Sequence, residues 1–439
     1  MSDKKTVYIA ISADIIHNGH INVINEGAKL GDVVIGVLTD EAIATYKRLP
    51  LLDYDTRVNI LSHIKGVVST MKQDTLSYAK NIRELKPDYV VHGDDWTSGV
   101  QSNIRREVIA LLAEYGGKLV EIPYTSGVST EALEESLNSI HNTPDIRRAK
   151  LRRMLKLKPW VRVLETSNGL SGLIVEKTKI EDPETATVKE FDAMWVSSLC
   201  DSTFKGKPDI ELVDLTSRIN TINEIMEVTT KPIILDGDTG GKPEHFSFNV
   251  RTLERLGVSA VIIEDKTGLK QNSLFGTEAK QVLDDPHEFA AKIHVGKQAQ
   301  QTRDFMIFAR LESLIAGAGI DDAMARAKIY LEEGGADGIM IHSREKDGAE
   351  IFEFLRRFRD YSPDIPVILV PTSYNQFTEE ELHTAGANII IYANHLLRSA
   401  YPAMANTAKK ILACSRSKEV DDNCLSIKEV LSLIPNKSC

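Results

Sequence analysis

Apolar and polar positions alternate along residues 1–143 in a repeating strand and helix pattern. Short β-rich runs are separated by stretches whose apolar residues recur at helical spacing, as Ile21, Ile24 and Ala28 do. This alternation is typical of a parallel sheet with helices on both faces. Helices are predicted around 21–30, 57–64 and 104–114. Four strands are predicted, over Thr6–Ser12, Asp32–Leu38, Asp88–His92 and Lys118–Ile122.

From residue 144 onward, eight further apolar runs recur, each followed by a helical pattern. They are Val161–Ser167, Ala193–Ser198, Pro232–Thr239, Ala260–Lys266, Phe305–Glu312, Gly338–Ser343, Pro366–Thr372 and Asn388–Asn394. Eight such units in roughly 250 residues are the number and size of a (β/α)8 barrel. The predicted fold class is therefore α/β, with a Rossmann-like domain over residues 1–143 and a barrel domain over residues 144–439.

Two segments at the edges of this pattern need separate interpretation. Residues 141–160 are polar and then strongly basic, and we interpret them as a solvated helix with Ile146, Leu151 and Leu155 as its apolar stripe. A contact with an anionic surface is the alternative that we set aside. An acidic insert over residues 181–190 is expected to be a surface excursion.

Composition limits the kinds of partner. The formal net charge of −10 gives no reason to expect a nucleic acid partner. No apolar run approaches the roughly 18 residues that a membrane span needs, and the first residues show no signal-peptide pattern. The four cysteines are far apart and lack metal-ligand spacing. This cysteine usage is typical of a reducing compartment, so we expect a cytoplasmic protein with small-molecule substrates.

Every predicted barrel strand is apolar in its body and polar at its C-terminal end. The residues from Val261 to Ser273, which read VIIEDKTGLKQNS, show this most clearly. In barrels the C-terminal face carries the active site, so these polar groups are expected to converge. Four carboxylates are suited to Mg²⁺, directly or through water, and four donors are suited to a phosphate or phosphonate. The carboxylates are Asp236, Asp238, Glu264 and Glu312, and the donors are Lys270, Asn272, Arg310 and His342.

The first domain carries polar motifs where its predicted strands end. The sequence His17-Asn18-Gly19-His20 lies between the first strand and the first helix, where a helix N-terminus offers free N–H groups to phosphate. On its own, this motif is equally compatible with a capped turn. Gly93-Asp94-Asp95-Trp96 follows a later strand, and residues 125–130, which read TSGVST, follow the last strand.

Together these motifs resemble the cytidylyltransferases of the HxGH nucleotidyltransferase superfamily. The resemblance covers about residues 5–140 and implies CTP as a co-substrate. It implies that His17 and His20 bind the triphosphate and stabilise the transition state. It also implies nucleotide-binding roles for Lys47, Arg57, Asp94, Trp96, Ser129 and Thr130. Two departures concern the residues before the motif, Ser12-Ala13-Asp14, and Tyr124, where the family has an arginine.

The second half resembles phosphoenolpyruvate mutase of the isocitrate lyase superfamily. The stretch EDKTGLKQNS fits the family signature E-D-K-x-x-x-K-x-N-S, and the likeness extends over most of residues 150–435. That family interconverts phosphoenolpyruvate and phosphonopyruvate with Mg²⁺. The sequence lacks the K-K-C-G-H loop of the carbon–carbon lyases in the same superfamily.

The resemblance implies a role for each matching residue. Asp236 coordinates Mg²⁺, and Asp238, Glu264 and Glu312 assist through water. Asp209 lies beside the migrating phosphorus of the substrate. Lys270 and Ser273 belong to a loop that closes over the site. The substrate itself is held by Trp195, Ser197 and Ser198 at its pyruvyl end and by Asn272, Arg310 and His342 at its phosphoryl group.

These interpretations predict a bifunctional enzyme of phosphonate biosynthesis. The alternative is a hydrolase or lyase barrel, with a first domain that senses nucleotides without catalysis. The family exchanges a C-terminal helix between subunits, and residues 411–439 have helical apolar spacing, so a homodimer or homotetramer is expected.

Overall fold

The computed structural model describes residues 4–46, 49–97, 101–123, 143–267 and 282–434. Its first part is a parallel five-stranded sheet with the strand order β3-β2-β1-β4-β5. The strands are β1 (Thr6–Ile11), β2 (Asp32–Leu38), β3 (Val67–Gln73), β4 (Tyr89–Gly93) and β5 (Lys118–Ile122). The helices are α1 (Asn18–Leu30), α2 (Asp40–Ala44), α3 (Tyr54–Ser62), α4 (Ala79–Leu85) and α5 (Ser102–Ala113).

The four strands predicted in this part are all present, and β3 is an additional strand. It occupies an edge of the sheet, and only one of its seven residues, Gln73, is buried. An edge strand with polar residues lacks the apolar run on which the prediction relied. The chain order reverses between β1 and β4, which flank the start of α1, and ligands in open parallel sheets bind at such a position.

The second part is a closed barrel of eight parallel strands, which confirms the predicted fold class. The strands are β6 (Val161–Thr166), β9 (Ala193–Val196), β10 (Ile233–Asp236), β11 (Ala260–Glu264), β12 (Met306–Leu311), β13 (Gly338–Ile341), β14 (Val367–Leu369) and β15 (Ile389–Tyr392). Residues such as Trp195, Ile262 and Phe308 fill the barrel interior, while the opposite strand faces pack against the surrounding helices.

The helices of the second part begin with α6 (Pro144–Leu157). They continue with α7 (Gly169–Lys177), α8 (Ser198–Phe204), α9 (Leu215–Met226), α10 (Pro243–Leu256), α11 (Pro286–Ala299), α12 (Gly319–Glu332), α13 (Ala349–Tyr361), α14 (Glu379–Thr384), α15 (His395–Cys414) and α16 (Ile427–Leu433). Within the described part of the chain, no helix is long and apolar enough to cross a membrane.

Helix α6 covers the N-terminal end of the barrel, and three of its basic residues, Arg147, Arg148 and Lys150, are buried rather than solvated as predicted. Arg147 and Lys150 donate to the carbonyl oxygens of Thr229 and Thr230, just before β10, at 3.0 and 2.7 Å. The Ser259 hydroxyl, just before β11, donates to Arg147 O at 2.9 Å. Carbonyls at the strand starts accept the hydrogen bonds that the cations would otherwise make with water, so burial is tolerated.

The acidic insert forms an antiparallel hairpin, β7 (Lys179–Asp182) paired with β8 (Thr187–Glu190). The sequence predicted a surface excursion but did not identify these two strands, because charged residues are frequent there and no apolar run marks a strand. The hairpin is largely solvent-exposed, but Ala186 at its turn is 2% exposed.

Helix α15 extends over 20 residues without a single buried side chain. Apolar residues on α15 and α16 face solvent in the isolated chain, including Tyr401 at 73% exposure and Leu412 at 83%.

Candidate active sites at the strand ends

A polar cavity of about 640 Å³, counting its opening to solvent, lies at the C-terminal ends of the barrel strands. Seven of the predicted site residues line it: Trp195, Ser197, Ser198, Asp209, Asp236, Arg310 and His342. The cavity is also lined by Ser343, Thr372 and Asn394, the polar ends of three predicted strands. Five further lining residues were not singled out by the sequence analysis: Leu199, Met340, Val370, Ser373 and Ala393.

One side of the cavity is organised around Asp236, the last residue of β10. The Ser198 hydroxyl donates to Asp236 Oδ2 at 2.8 Å, and the Ser198 amide donates to the same oxygen at 3.2 Å. The Ser197 hydroxyl accepts from the Cys200 amide and begins α8. These bonds fix the Asp236 carboxylate at the cavity wall.

Beside Asp236, acidic and basic side chains alternate in a buried cluster. Glu312 accepts from Arg310 Nε at 2.5 Å and lies 2.8 Å from His342 Nε2. Lys266 Nζ is 3.2 Å from Glu264 and 3.4 Å from Glu312, and Arg310 Nη1 is 3.3 Å from Glu264. Each carboxylate therefore has at least two cationic or imidazole neighbours, which offset the cost of burying its charge.

The cluster sets the protonation of its members. Burial alone would raise the pKa of the Glu312 carboxyl, but the charge of Arg310 and the hydrogen bond from His342 outweigh burial and hold this pKa well below its usual range. Burial lowers the pKa of His342, against the opposing attraction of Glu312, so the ring is neutral at neutral pH. Since Glu312 is then a carboxylate, the neutral ring carries its proton on Nε2.

The four residues predicted to bind Mg²⁺ do not all converge on a single metal position. They are Asp236, Asp238, Glu264 and Glu312. Asp238 is paired with Arg218 of α9, whose Nη1 donates to Asp238 Oδ2 at 2.8 Å. Among the described residues, no group of three or more acidic, histidine or cysteine side chains is arranged to hold a metal by itself. This arrangement fits a Mg²⁺ ion with Asp236 as direct ligand and the other carboxylates acting through water, because Mg²⁺ usually keeps several of its waters.

Arg218 is a residue that the sequence analysis missed. It is 3% exposed and belongs to a helix rather than a strand end, so the search for polar strand ends could not find it. A signal was present, since Arg218 occupies the apolar stripe of its helix between Leu215 and Ile222. A charged residue in such a stripe needs a buried partner.

In the first domain, His17 and His20 form the start of α1. His17 Nδ1 accepts from the Gly19 amide at 3.0 Å, and His20 Nδ1 accepts from the His17 amide at 3.4 Å. The two rings lie 4.0 Å apart. Because backbone N–H groups can only donate, each neutral ring carries its proton on Nε2. Burial lowers the pKa of His17, which favours this neutral form.

Gly19 is required by this geometry. A Cβ at this position would lie 2.8 Å from His17 Cε1, closer than side-chain carbons approach. The motif therefore folds both imidazoles against the N-terminus of a 13-residue helix, where an anion is favoured.

Arg57 lies beneath this turn and does not face the predicted phosphate position. Its side chain is fully buried, and it donates to the carbonyls of Ser12, Leu38 and Leu52 and to Asp40. Its guanidinium thus holds neighbouring loops together, because three backbone carbonyls and a carboxylate already use its donors.

Trp96 is likewise a packing residue in this geometry, with only 1% of its surface exposed. Its ring stacks on His92 at 3.8 Å, and its Nε1 donates to Glu121 at 2.8 Å. Asp94 is exposed at the start of a short 3₁₀ turn and is the part of this motif that a ligand could reach. The remaining predicted residues lie outside the described residues: Lys47, Tyr124, Ser129, Thr130, Lys270, Asn272 and Ser273.

Comparison with known proteins gives two family matches. The phosphoenolpyruvate phosphomutase family matches residues 151–412, and the cytidylyltransferase-like family matches residues 12–135. A phosphoenolpyruvate phosphomutase of Tetrahymena pyriformis is 34% identical over 65% of this chain and 90% of its own length. A phosphonopyruvate hydrolase of Variovorax is also 34% identical, over 60% of this chain and 91% of its own length.

Solved structures agree with these matches. The crystal structure of a phosphoenolpyruvate phosphomutase from Streptomyces platensis covers 64% of this chain and 93% of its own, with 32% identity and a TM-score of 0.58. A phosphonopyruvate hydrolase, whose crystal contained oxalate and Mg²⁺, covers 67% and 94% with 31% identity and a TM-score of 0.55. Because the phosphomutase family matches more than half of the sequence, the chain belongs to the phosphoenolpyruvate phosphomutase family and carries a cytidylyltransferase-like domain ahead of its barrel.

Proposed function

We propose that the barrel interconverts phosphoenolpyruvate and phosphonopyruvate, and that the first domain transfers CMP from CTP to a phosphonate or phosphate acceptor. Helix α6 begins at Pro144, and we place the boundary between domains 1–143 and 144–439 there. The observation that carries the barrel assignment is the cavity that gathers Asp209, Asp236, Arg310 and His342. These residues supply a metal ligand and phosphoryl-binding groups within one site.

In this reaction the C–P bond of phosphonopyruvate breaks and phosphorus is transferred to the enolate oxygen of the same molecule. Asp236 would hold a Mg²⁺ ion, which would supply positive charge to stabilise the enolate that forms. Arg310 neutralises the phosphoryl oxygens, since its charge is retained at every accessible pH: although burial opposes it, the charges of Glu312 and Glu264 raise its pKa. Asp209 lines the same cavity as nucleophile or electrostatic guide.

Hydrolysis of phosphonopyruvate is the second candidate, because the Variovorax hydrolase is as similar in sequence as the Tetrahymena mutase. The two reactions start with the same C–P cleavage and differ in the acceptor of phosphorus, which is water in the hydrolase.

The first prediction separates these two reactions. With Mg²⁺, phosphonopyruvate should be converted to phosphoenolpyruvate, and removal of Mg²⁺ by EDTA should abolish turnover. Product analysis by chromatography measures both. Asn272→Ala should lower turnover by about 100-fold or more if this residue clamps the phosphoryl group. Formation of pyruvate and phosphate alone would contradict the mutase proposal.

The second prediction concerns Cys200, since the related lyases use a cysteine. Burial raises the pKa of the Cys200 thiol to about 12, and the thiol donates to Ala393 O at 3.5 Å. Such a thiol is a poor nucleophile. Cys200→Ala should therefore keep mutase activity within about threefold. In the native protein, iodoacetamide should not modify Cys200, because this cysteine is buried. Loss of activity in a folded Cys200→Ala protein would favour a lyase-type mechanism.

In the first domain, the phosphonate or phosphate oxygen of the acceptor attacks the α-phosphorus of CTP, and pyrophosphate leaves. The Nε2–H groups of His17 and His20 are the donors available for triphosphate oxygens. The paired rings at the helix N-terminus support this role, because both rings are held by backbone amides rather than left to rotate.

The third prediction tests that role. His17→Asn keeps a side-chain acceptor for the helix cap but removes the imidazole N–H. It should lower pyrophosphate release from CTP by about 100-fold or more, because charge on the leaving group is no longer stabilised. A panel of 2-aminoethylphosphonate, 2-hydroxyethylphosphonate and phosphonoacetate serves as acceptor.

His63→Asn is the matched control, because His63 is exposed at the end of α3. Its variant should release pyrophosphate as the wild type does. If calorimetry shows CTP binding but no acceptor supports turnover, the first domain is a nucleotide sensor instead.

We also propose that α15 and α16 pack against a second subunit, as their exposed apolar residues suggest. The fourth prediction is that sedimentation velocity shows a dimer or tetramer. Leu412→Glu combined with Leu431→Glu should shift it toward the monomer, because charges would enter the interface. Phe248→Glu, at a residue 65% exposed on α10, should not. A monomeric wild type would contradict this proposal.

A further inference from the structure

Among the described residues, the second domain contacts the first at residues 45–46 and 49–52, which we call the joint loop, and also at Asp40 and Asn103. Leu49 is 6% exposed and belongs to the buried cluster that fills the barrel interior, together with Leu151 and Met154 of α6. Two described segments from the second domain also reach the first. The hairpin amide of Val188 donates to Thr45 O at 3.0 Å, and Arg153 of α6 donates to Leu51 O at 3.5 Å.

The opposite side of the joint loop is bonded to the strand end that precedes the His17–His20 turn. Asp14 Oδ1 accepts from the amides of Leu51 and Leu52 at 2.6 and 3.1 Å. Arg57 donates to Leu52 O at 3.2 Å and to Ser12 O at 2.5 Å. The loop therefore connects the barrel base with residues that lie only three to five positions before His17.

The chain before the turn needs this support. Ala13 has a φ of +52°, a left-handed conformation that is unfavourable for residues with a side chain. Its neighbours Ser12 and Asp14 are the two residues bonded to Arg57 and to the joint loop. The backbone conformation of residues 12–14, which sets the orientation of the His17–His20 turn, is thus maintained by contacts that extend to the barrel.

We infer that Leu49 is a positioning residue for nucleotidyl transfer, and that the barrel base orients the His17–His20 turn through the joint loop. The inference rests on the proposed transfer of CMP by the first domain. It implies a one-way dependence. Nucleotidyl transfer requires the joint loop. The mutase reaction does not, because its cavity lies at the other end of the barrel strands.

The test compares variants of the full-length protein. Leu49→Ala should lower kcat for pyrophosphate release by about tenfold or more, with KM for CTP changed less than about twofold, because misplaced groups slow the reaction more than they weaken binding. Leu49→Met should restore the rate, since a flexible side chain of similar volume refills the site. Conversion of phosphonopyruvate should stay at the wild-type rate in both variants.

Arg153 and Arg152 provide a matched pair on α6. They are similarly exposed, at 32% and 31% of the side chain, but Arg152 bonds Asp337 within the barrel whereas Arg153 faces Leu51 and Asp40. Arg153→Ala should slow nucleotidyl transfer, and Arg152→Ala should not. An equal loss of nucleotidyl transfer in both variants, or a parallel loss of mutase activity, would mean that the joint loop only stabilises the fold. Either result would overturn the inference.

Hydrogen exchange keeps the inference testable even if no acceptor in the panel supports turnover, an outcome that would count against the proposed transfer alone. In Leu49→Ala, peptides covering residues 11–20 and 49–57 should exchange faster than in the wild type, while barrel-strand peptides are unchanged. Unchanged exchange in residues 11–20 would overturn the inference whatever the activity.

Discussion

The barrel site depends on the charge balance of its buried cluster. Glu264 and Glu312 are 1% and 0% exposed, a placement that would cost several kcal/mol for each unpaired carboxylate. Lys266, Arg310 and His342 remove most of that cost by lying within 3.4 Å of one or both carboxylates. The same arrangement leaves Arg310 and His342 at the cavity wall, so the interactions that make burial tolerable also supply groups for a phosphoryl substrate.

Much of the barrel and of its candidate site could be predicted from the sequence, because two simple patterns coincide. Apolar runs give the strands, and the polar residues that follow each run must meet once the strands are parallel. The convergence of Asp236, Arg310 and His342 follows from this rule alone. The pairing within the cluster does not, because strand order and side-chain rotamers decide which carboxylate meets which cation.

The features that sequence reasoning missed have a shared cause. Each depends on contacts between residues far apart in the chain. Strand β3 is defined by its pairing with β2, Arg218 by its carboxylate partner just after the next strand, and Leu49 by a cluster in another domain. Arg57 shows the reverse error, since a motif position suggested a phosphate contact while four protein acceptors surround its guanidinium. Local patterns do not show such long-range partners.

The two sites lie toward opposite ends of the barrel. The cavity opens at the C-terminal strand ends, and the first domain is joined to the N-terminal end through Leu49 and α6. Strands of three to six residues separate them by roughly 10–20 Å of packed interior. A product of one site would therefore reach the other site of the same chain through solvent, and the two reactions need not share an intermediate.

The central claim is that phosphorus moves between carbon and oxygen of one molecule without reaching water. Phosphorus NMR of phosphonopyruvate turnover in ¹⁸O-enriched water tests it most directly. The account predicts that the phosphonate resonance is replaced by that of the enol phosphate, with no inorganic phosphate. Inorganic phosphate carrying ¹⁸O as the main product would contradict it.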